Sequence, residues 1–153
     1  LNYSRKPNNN CYLILIDPPD FQLNKFFYKQ IGKEHRWIDR LAWDDNGWIN
    51  YLKRRNIKTY ILKDEENLIG YFEIIYDLNK KNTEIAYFGI LSEYYGKKYG
   101  GYLLSEAITK SFEKGINRVW VHTCSLDHKN ALKNYLARGM KIFKSEKIKV
   151  DIN

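Results

Sequence analysis

The chain has 153 residues, of which 44% are hydrophobic and 29% charged, which excludes an intrinsically disordered protein. Its formal net charge of +8 would attract nucleic acid, acidic surfaces or phosphorylated cofactors, and selects none of them. No apolar run reaches the roughly 18 residues of a bilayer-spanning helix, and the first ten residues lack the apolar segment of a signal peptide. The two cysteines, Cys11 and Cys124, suggest neither a disulfide framework nor a metal site. We therefore expect one soluble, cytoplasmic domain over residues 1–153.

The first third of the chain predicts a strand followed by helices. Residues 11–17, CYLILID, form a short apolar strand that ends at two prolines. Apolar residues at near-helical spacing predict a helix over 21–31. A second helical region over 35–54 is interrupted at DDNG, because Asp and Gly cap or break helices.

Three strands are predicted next, over residues 57–63, 68–76 and 83–91, and the last two form an antiparallel hairpin. Residues 96–115 have one apolar helical face, with Gly115 where a helix commonly ends.

The last part of the chain predicts a strand at 118–124, a helix from Asp127 to Gly139, and one bent strand or two short ones after it. A helical crossover separates the strands that flank the 96–115 helix, so only these two need be parallel. This order of elements predicts an α+β fold with a mostly antiparallel sheet.

The stretch YYGKKYGG at 94–101 lies between a predicted strand and a predicted helix. Glycines let the backbone approach a ligand there, and the first N–H groups of the helix favour an anion. The pattern predicts a phosphate-binding corner. The motifs GxxxxGK[ST] and GxGxxG are absent, which disfavours a nucleotide hydrolase and a Rossmann dehydrogenase. The candidate residues are Tyr95, Gly96, Lys97, Lys98, Tyr99, Gly100 and Gly101.

This corner resembles the pyrophosphate loop of the GNAT acetyltransferases, which follows the pattern [Q/R]-x-x-G-x-[G/A]. Tyr95 stands where the family has Gln or Arg, and Lys98 stands where it has Gly. Residues 127–143, DHKNALKNYLARGMKIF, resemble the family's later motif of alanine, tyrosine and glycine at intervals of four. Ala131, Tyr135 and Gly139 match it.

The resemblance implies mixed αβα layers, with a sheet splayed between its fourth and fifth strands and acetyl-coenzyme A in the cleft. It also implies that backbone groups of Phe88, Gly89, Ile90 and Leu91 hold the pantetheine and polarise the thioester carbonyl.

Acyl transfer to an amine requires a base, because an amine of pKa ~10.4 is protonated at neutral pH. Glu84 resembles in position the glutamate that is the base in some family members. Glu73 projects from the same face if Ile75 pairs with Glu84, and two neighbouring carboxylates raise each other's pKa. Alternatively, both are hairpin carboxylates on a solvated face. Tyr135 matches the tyrosine that protonates the departing thiolate, unless it is a core aromatic.

The resemblance assigns the acceptor side to region 35–54, whose aromatic and charged residues also suit a core face. Trp37 with Leu41 and Trp48 with Leu52 have i,i+4 spacing. Its notable residues are Trp37, Asp39, Arg40, Trp43, Asp44 and Trp48. An acyl-cysteine at Cys124, near His122, is a lesser alternative to direct transfer, since a buried cysteine is commonly a small hydrophobe.

These features favour an acetyl-CoA-dependent N-acetyltransferase that transfers an acetyl group directly to a primary amine. The alternatives are a catalytically silent acyl-CoA sensor and a basic nucleic-acid-binding module, although alternating acidic residues count against the latter. The sequence leaves open the small-molecule or peptide acceptor, the acyl length and pairing into a homodimer.

Overall fold

The computed structural model describes residues 1–122, 129–144 and 147–151. The strands are β1 Cys11–Leu15, β2 Ile57–Asp64, β3 Asn67–Asp77, β4 Asn82–Ile90, β5 Arg118–His122, β6 Lys141–Lys144 and β7 Lys147–Asp151. The helices are α1 Phe21–His35, α2 Asp45–Leu52, α3 Tyr99–Ser111 and α4 Lys129–Ala137, with a 3-10 turn at Ser92–Tyr94.

The strands form one sheet in the order β1-β2-β3-β4-β5-β7-β6. Neighbouring strands are antiparallel except β4 and β5, which flank α3 and run parallel. This confirms the predicted pairing. The β4–β5 pairing covers only Asn82–Ile85 on β4, which continues to Ile90. The two strands therefore part beyond Ile85, which gives the splayed sheet that the family resemblance implied.

Alternating side chains on the central strands divide the core into two layers, since successive residues of a strand point to opposite faces. Phe72 and Ile74 of β3 pack in one cluster with Leu103 of α3. Tyr71, between α1 and the sheet, stacks on Phe27 at 4.8 Å between ring centroids. The αβα layering is thus confirmed.

The predicted helical region over 35–54 is wrong for residues 36–44, which contain no helix. Arg36 adopts a left-handed conformation with φ of 56°, which ends α1 one residue earlier. Asp44 then caps α2, because its side chain accepts a hydrogen bond of 2.8 Å from the Gly47 N–H. DDNG therefore begins a helix rather than interrupting one.

The two i,i+4 pairs in this region have different outcomes. Trp48 and Leu52 are both buried on α2, as predicted. Leu41 is 59% exposed and lies outside any helix, so the predicted core face of Trp37 and Leu41 is wrong.

Residues of positive φ precede α3 and follow both α3 and α4. Gly96 (φ +76°) and Lys98 (φ +69°) precede α3, which begins at Tyr99 rather than at residue 96. It ends at Ser111, and Gly115 (φ +75°) belongs to the following turn. Gly139 (φ +96°) follows α4, and its N–H donates to the Leu136 carbonyl, so its predicted role is confirmed. Asp127 lies outside the described residues.

The segment before β1 lies across α3 and the end of α4. The Ser4 N–H donates to the Ser105 hydroxyl at 2.9 Å, and the Asn2 N–H donates to the Arg138 carbonyl at 3.0 Å. Gly101 lies beneath this segment, where an added Cβ would be 3.0 Å from the Ser4 hydroxyl. Among the described residues, no helix has the length and apolar character needed to cross a membrane.

Candidate active site

A cavity of about 240 Å³ lies at the corner where the end of β4 leads into α3. Its lining includes nine of the residues predicted to bind the coenzyme. The lining residues are His35, Phe88, Gly89, Ile90, Tyr94, Tyr95, Gly96, Lys98, Tyr99, Gly100, Gly101, Ala131 and Asn134.

The backbone of this corner is open to a ligand. An added Cβ at Gly96 would meet nothing within 4 Å, and one at Gly100 would meet only the Asn134 amide nitrogen at 3.5 Å. Lys98 precedes α3 without a side-chain hydrogen bond to the helix start. The first N–H groups of α3 lack that cap, so they are suited to bind an anion.

Two residues predicted to bind the coenzyme are not part of this lining. The Lys97 ammonium lies 5.7 Å from the centre of the Tyr94 ring. Leu91 is buried, and its N–H donates to the Ile69 carbonyl at 2.8 Å. Lys98 is therefore the lysine that the structure brings to the corner.

Gly89 lines the cavity, and the packing of α1 against β4 also leaves no room for a side chain at this position. A Cβ there would lie 2.4 Å from Cγ2 of Ile31, a residue of α1. Only glycine lets α1 approach β4 this closely at that position.

A second cavity of about 500 Å³ lies on the α1 side of the splay and meets the first at His35 and Phe88, which line both. Aromatic and ionisable side chains dominate it. Its lining residues are His35, Trp37, Asp39, Arg40, Tyr51, Ile75, Glu84, Ile85, Ala86, Tyr87, Phe88, Val121, His122 and Tyr135. We call it the acceptor cleft.

Two of the three predicted catalytic residues line the acceptor cleft. Glu84 reaches it from β4, within the segment that still pairs with β5. Tyr135 reaches it from α4 and is only 6% exposed, with its ring centroid 6.4 Å from that of Phe88. Tyr135 therefore lies near Phe88, where the two cavities meet, and Glu84 lies four residues along β4 from Phe88 in the same cleft.

Glu73, the third predicted catalytic residue, is fully buried. Ile75 does pair with Glu84, as the prediction required, but the register shifts between Glu73 and Ile74. The Glu73 carboxylate accepts hydrogen bonds of 3.0 and 3.1 Å from Arg40 Nη1 and one of 3.1 Å from the Asn24 amide. The Glu73 carboxylate is therefore bonded to Arg40 and Asn24.

Arg40 is held by both charge and aromatic rings. Burial has the largest influence and lowers the pKa of Arg40, but the Glu73 carboxylate and the nearby tyrosines together raise it above its ordinary value. Its guanidinium carbon lies 4.1 Å from the ring centre of Tyr87 and 4.2 Å from that of Tyr51, with Trp43 and Trp48 nearby. The aromatic and charged composition of region 35–54 predicted a role on the acceptor side, but no local sequence pattern predicts that Arg40 pairs with Glu73.

Asp39 is held by two phenols. Tyr28 donates to its Oδ1 at 3.1 Å, and Tyr87 donates to its Oδ2. Burial, and after it the Asp39 carboxylate, raises the pKa of Tyr28 to about 12. Burial and the hydrogen bond to Asp39 raise the pKa of Tyr87 as well. Both phenols therefore remain protonated donors at neutral pH.

The acyl-cysteine alternative is not tested, because Cys124 lies outside the described residues. His122 is exposed at the end of β5 and lines the acceptor cleft. Cys11 is buried, and its thiol donates to the Asn8 carbonyl.

The fold is that of acetyltransferases of known structure. An aminoglycoside acetyltransferase from an uncultured soil metagenomic sample superimposes with a TM-score of 0.74 at 13% identity, over 91% of this chain and 93% of that one. Spermidine N-acetyltransferase from Vibrio cholerae, in complex with CoA and spermine, gives 0.71 at 15% identity over 94% and 96%. A Bacillus subtilis acetyltransferase in complex with CoA gives 0.69 at 14% identity over 94% and 99%.

Residues 21–140 match the family described as Acetyltransferase (GNAT) family, and the chain belongs to this family. No curated protein matches the sequence.

Proposed function

We propose that the protein is an acetyl-CoA-dependent N-acetyltransferase that moves an acetyl group directly to a primary amine. The observation that carries this proposal is the meeting of two cavities at Phe88. One has a glycine-lined helix start, and the other has Glu84 and Tyr135. A donor and an acceptor bound in the two cavities would approach each other at that junction.

The residues of the corner fit a coenzyme A pyrophosphate. The open space at Gly96 and Gly100 would admit the phosphates to the N–H groups at the start of α3, and Lys98 adds a positive charge. The pantetheine would follow β4 past Phe88, where β5 no longer pairs with it. Acetyl-CoA supplies an activated acetyl group as a thioester. Backbone N–H groups of this part of β4 would polarise its carbonyl.

Two side chains would manage the protons. Glu84 would remove a proton from the protonated acceptor amine, directly or through water, since only the neutral amine is nucleophilic. Tyr135 would donate a hydrogen bond or a proton to the departing sulfur. Glu73, with its carboxylate bonded to Arg40 and Asn24, suits a supporting role better than that of base.

The test is a thiol-release assay with acetyl-CoA against a broad panel of amines and peptides. Release that depends on an amine, with the acetylated amine identified by mass spectrometry, supports the proposal. Coenzyme binding without release from any acceptor would instead favour a coenzyme-binding sensor. Accumulation of an acetylated protein in the absence of amine would contradict direct transfer and return attention to Cys124. We also propose a cytoplasmic location, which the low cysteine content favours.

A further inference from the structure

We propose that the acceptor carries a second positive charge besides the amine that is acetylated, and that Asp39 is the specificity-determining residue that selects it. This inference rests on the proposed function, because it concerns the second substrate of the same reaction. The charges of the acceptor cleft favour a diamine or polyamine, in the broad chemical sense, as the acceptor.

Asp39 places a carboxylate in the acceptor cleft. Its carboxylate lines the acceptor cleft, and within the described part of the chain its hydrogen bonds come from Tyr28 and Tyr87, which are neutral phenols. The raised pKa values of these phenols keep them as donors. Two hydrogen bonds therefore hold the Asp39 carboxylate in position, and it has no ion-pair partner among the described cations.

Arg40, the next residue, also lines the cleft and carries a positive charge. A free guanidinium there would repel a cationic acceptor. Both oxygens of the buried Glu73 accept from Arg40 Nη1, so this positive charge is already matched. Because Glu73 pairs with Arg40, the positive charge of Arg40 does not cancel the attraction of the Asp39 carboxylate for a cation in the cleft.

Aromatic side chains also line the acceptor cleft. Trp37, Tyr87 and Phe88 line the same cleft, and aromatic faces attract alkylammonium groups while accommodating their methylene chains. A protein with a formal charge of +8 would otherwise repel polycations. The aromatic rings and the carboxylate of the cleft would attract a cation locally, although the protein as a whole is positively charged.

The test compares acceptors that share one amine and one chain length but differ in the group at the other end. Diaminohexane, aminohexanol and aminohexanoic acid present a positive, a neutral and a negative end, and shorter and longer homologues allow for an unknown span. The assay is run at one fixed pH for all acceptors.

We expect kcat/KM to be roughly tenfold higher for the diamine than for the amino alcohol, and lowest for the amino acid. The Asp39→Asn variant keeps an oxygen acceptor for the two phenols and removes the charge. In this variant the diamine and the amino alcohol should become nearly equal, chiefly through a higher KM for the diamine. The matched control is Glu66→Gln, which removes a 96% exposed carboxylate on the β2–β3 turn and should preserve the preference.

Three outcomes separate the hypotheses. If no amine releases thiol, the proposed function fails. If amines react but the three end groups are used equally, the reaction stands and the inference about acceptor charge is overturned. If Asp39→Asn lowers kcat/KM for all acceptors by the same factor, Asp39 supports the site in general and its role in selection is overturned.

Discussion

Arg40 and Glu73 form an almost wholly buried ion pair, with Arg40 Nη1 3.0 and 3.1 Å from the two carboxylate oxygens and side-chain exposures of 5% and 0%. It joins the irregular segment 36–44 to the centre of the sheet. Trp37 and Asp39, which belong to that segment, line the acceptor cleft. The Arg40–Glu73 ion pair thus holds the segment that forms one wall of the cleft against β3.

Removing Arg40 should be costly, because Glu73 would remain as a buried charge without its partner. We expect Arg40→Met to lower the free energy of unfolding by about 3–5 kcal/mol, measured by urea denaturation. The Arg40→Met/Glu73→Leu double variant should recover a large part of that loss. Lys63→Met, which breaks a pair of 3.8 Å with the exposed Glu66, should cost less than about 1 kcal/mol. Equal losses for the buried and exposed pairs would contradict the assignment.

Coenzyme binding should depend on the backbone opening at Gly100. Saturating acetyl-CoA should raise the melting temperature of the wild-type protein. Gly100→Asp should abolish this shift, because its carboxylate would repel the phosphates at the helix start. Gly100→Ala is the matched control, since its Cβ meets only the Asn134 amide at an ordinary 3.5 Å. An acidic residue in the first turn does not weaken a helix, so loss of the shift would report binding. A full shift in the aspartate variant would place the phosphates elsewhere.

Glu84→Gln should lower kcat about 10²- to 10⁴-fold near neutral pH, as loss of a general base does. The loss should shrink as the pH rises towards the pKa of the acceptor amine, which then deprotonates without help. The measurement is a pH profile of kcat for the best acceptor of the panel. Glu113→Gln, a half-exposed carboxylate just after α3, serves as the control and should leave the profile unchanged. An unaltered profile for Glu84→Gln would move the base to another group.

Alkaline pH should destabilise the fold through its buried phenols. The pKa of Tyr28 is raised to about 12 by burial first, and that of Tyr102 likewise. A group whose pKa is raised in the folded state adds stability that is complete below its unfolded value of about 10 and is lost as the pH rises to the folded value. Unfolding free energy should thus fall between about pH 10 and pH 12, by up to about 1.4 kcal/mol per pH unit for each such phenol.

The check is urea denaturation across this window for the wild-type protein and for Tyr28→Phe. The variant starts less stable, because Tyr28 accepts a hydrogen bond from the Arg40 N–H and donates one to Asp39. Its stability should nevertheless decline less steeply above about pH 10. A decline as steep as that of the wild-type protein would show that Tyr28 does not contribute to it.

Local sequence patterns were enough to predict the strands of the sheet and the turn between β4 and α3. Alternation and helical spacing located the strands and helices, and the crossover through α3 identified β4 and β5 as the parallel pair. The interval of four from Ala131 to Tyr135 was enough to place the phenol on α4. These features depend on residues close together in the chain.

Residues distant in sequence account for what was missed. Arg40 and Glu73 are 33 positions apart, and neither has a neighbour that indicates the other. The spacing of Trp37 and Leu41 resembles a helix, but the left-handed Arg36 ends α1 before that spacing can matter. The register shift beside Glu73 was not predicted either, because the alternation of residues along one strand does not give its pairing with the next.

Lys98 has a left-handed backbone with φ of +69°, at the position where the family pattern has glycine. A residue with a Cβ adopts this conformation at a cost of about 1 kcal/mol that glycine avoids. The chain thus keeps a cation where backbone energetics alone would favour its loss. In the proposed coenzyme complex, attraction between the Lys98 ammonium and a phosphate would offset this backbone cost.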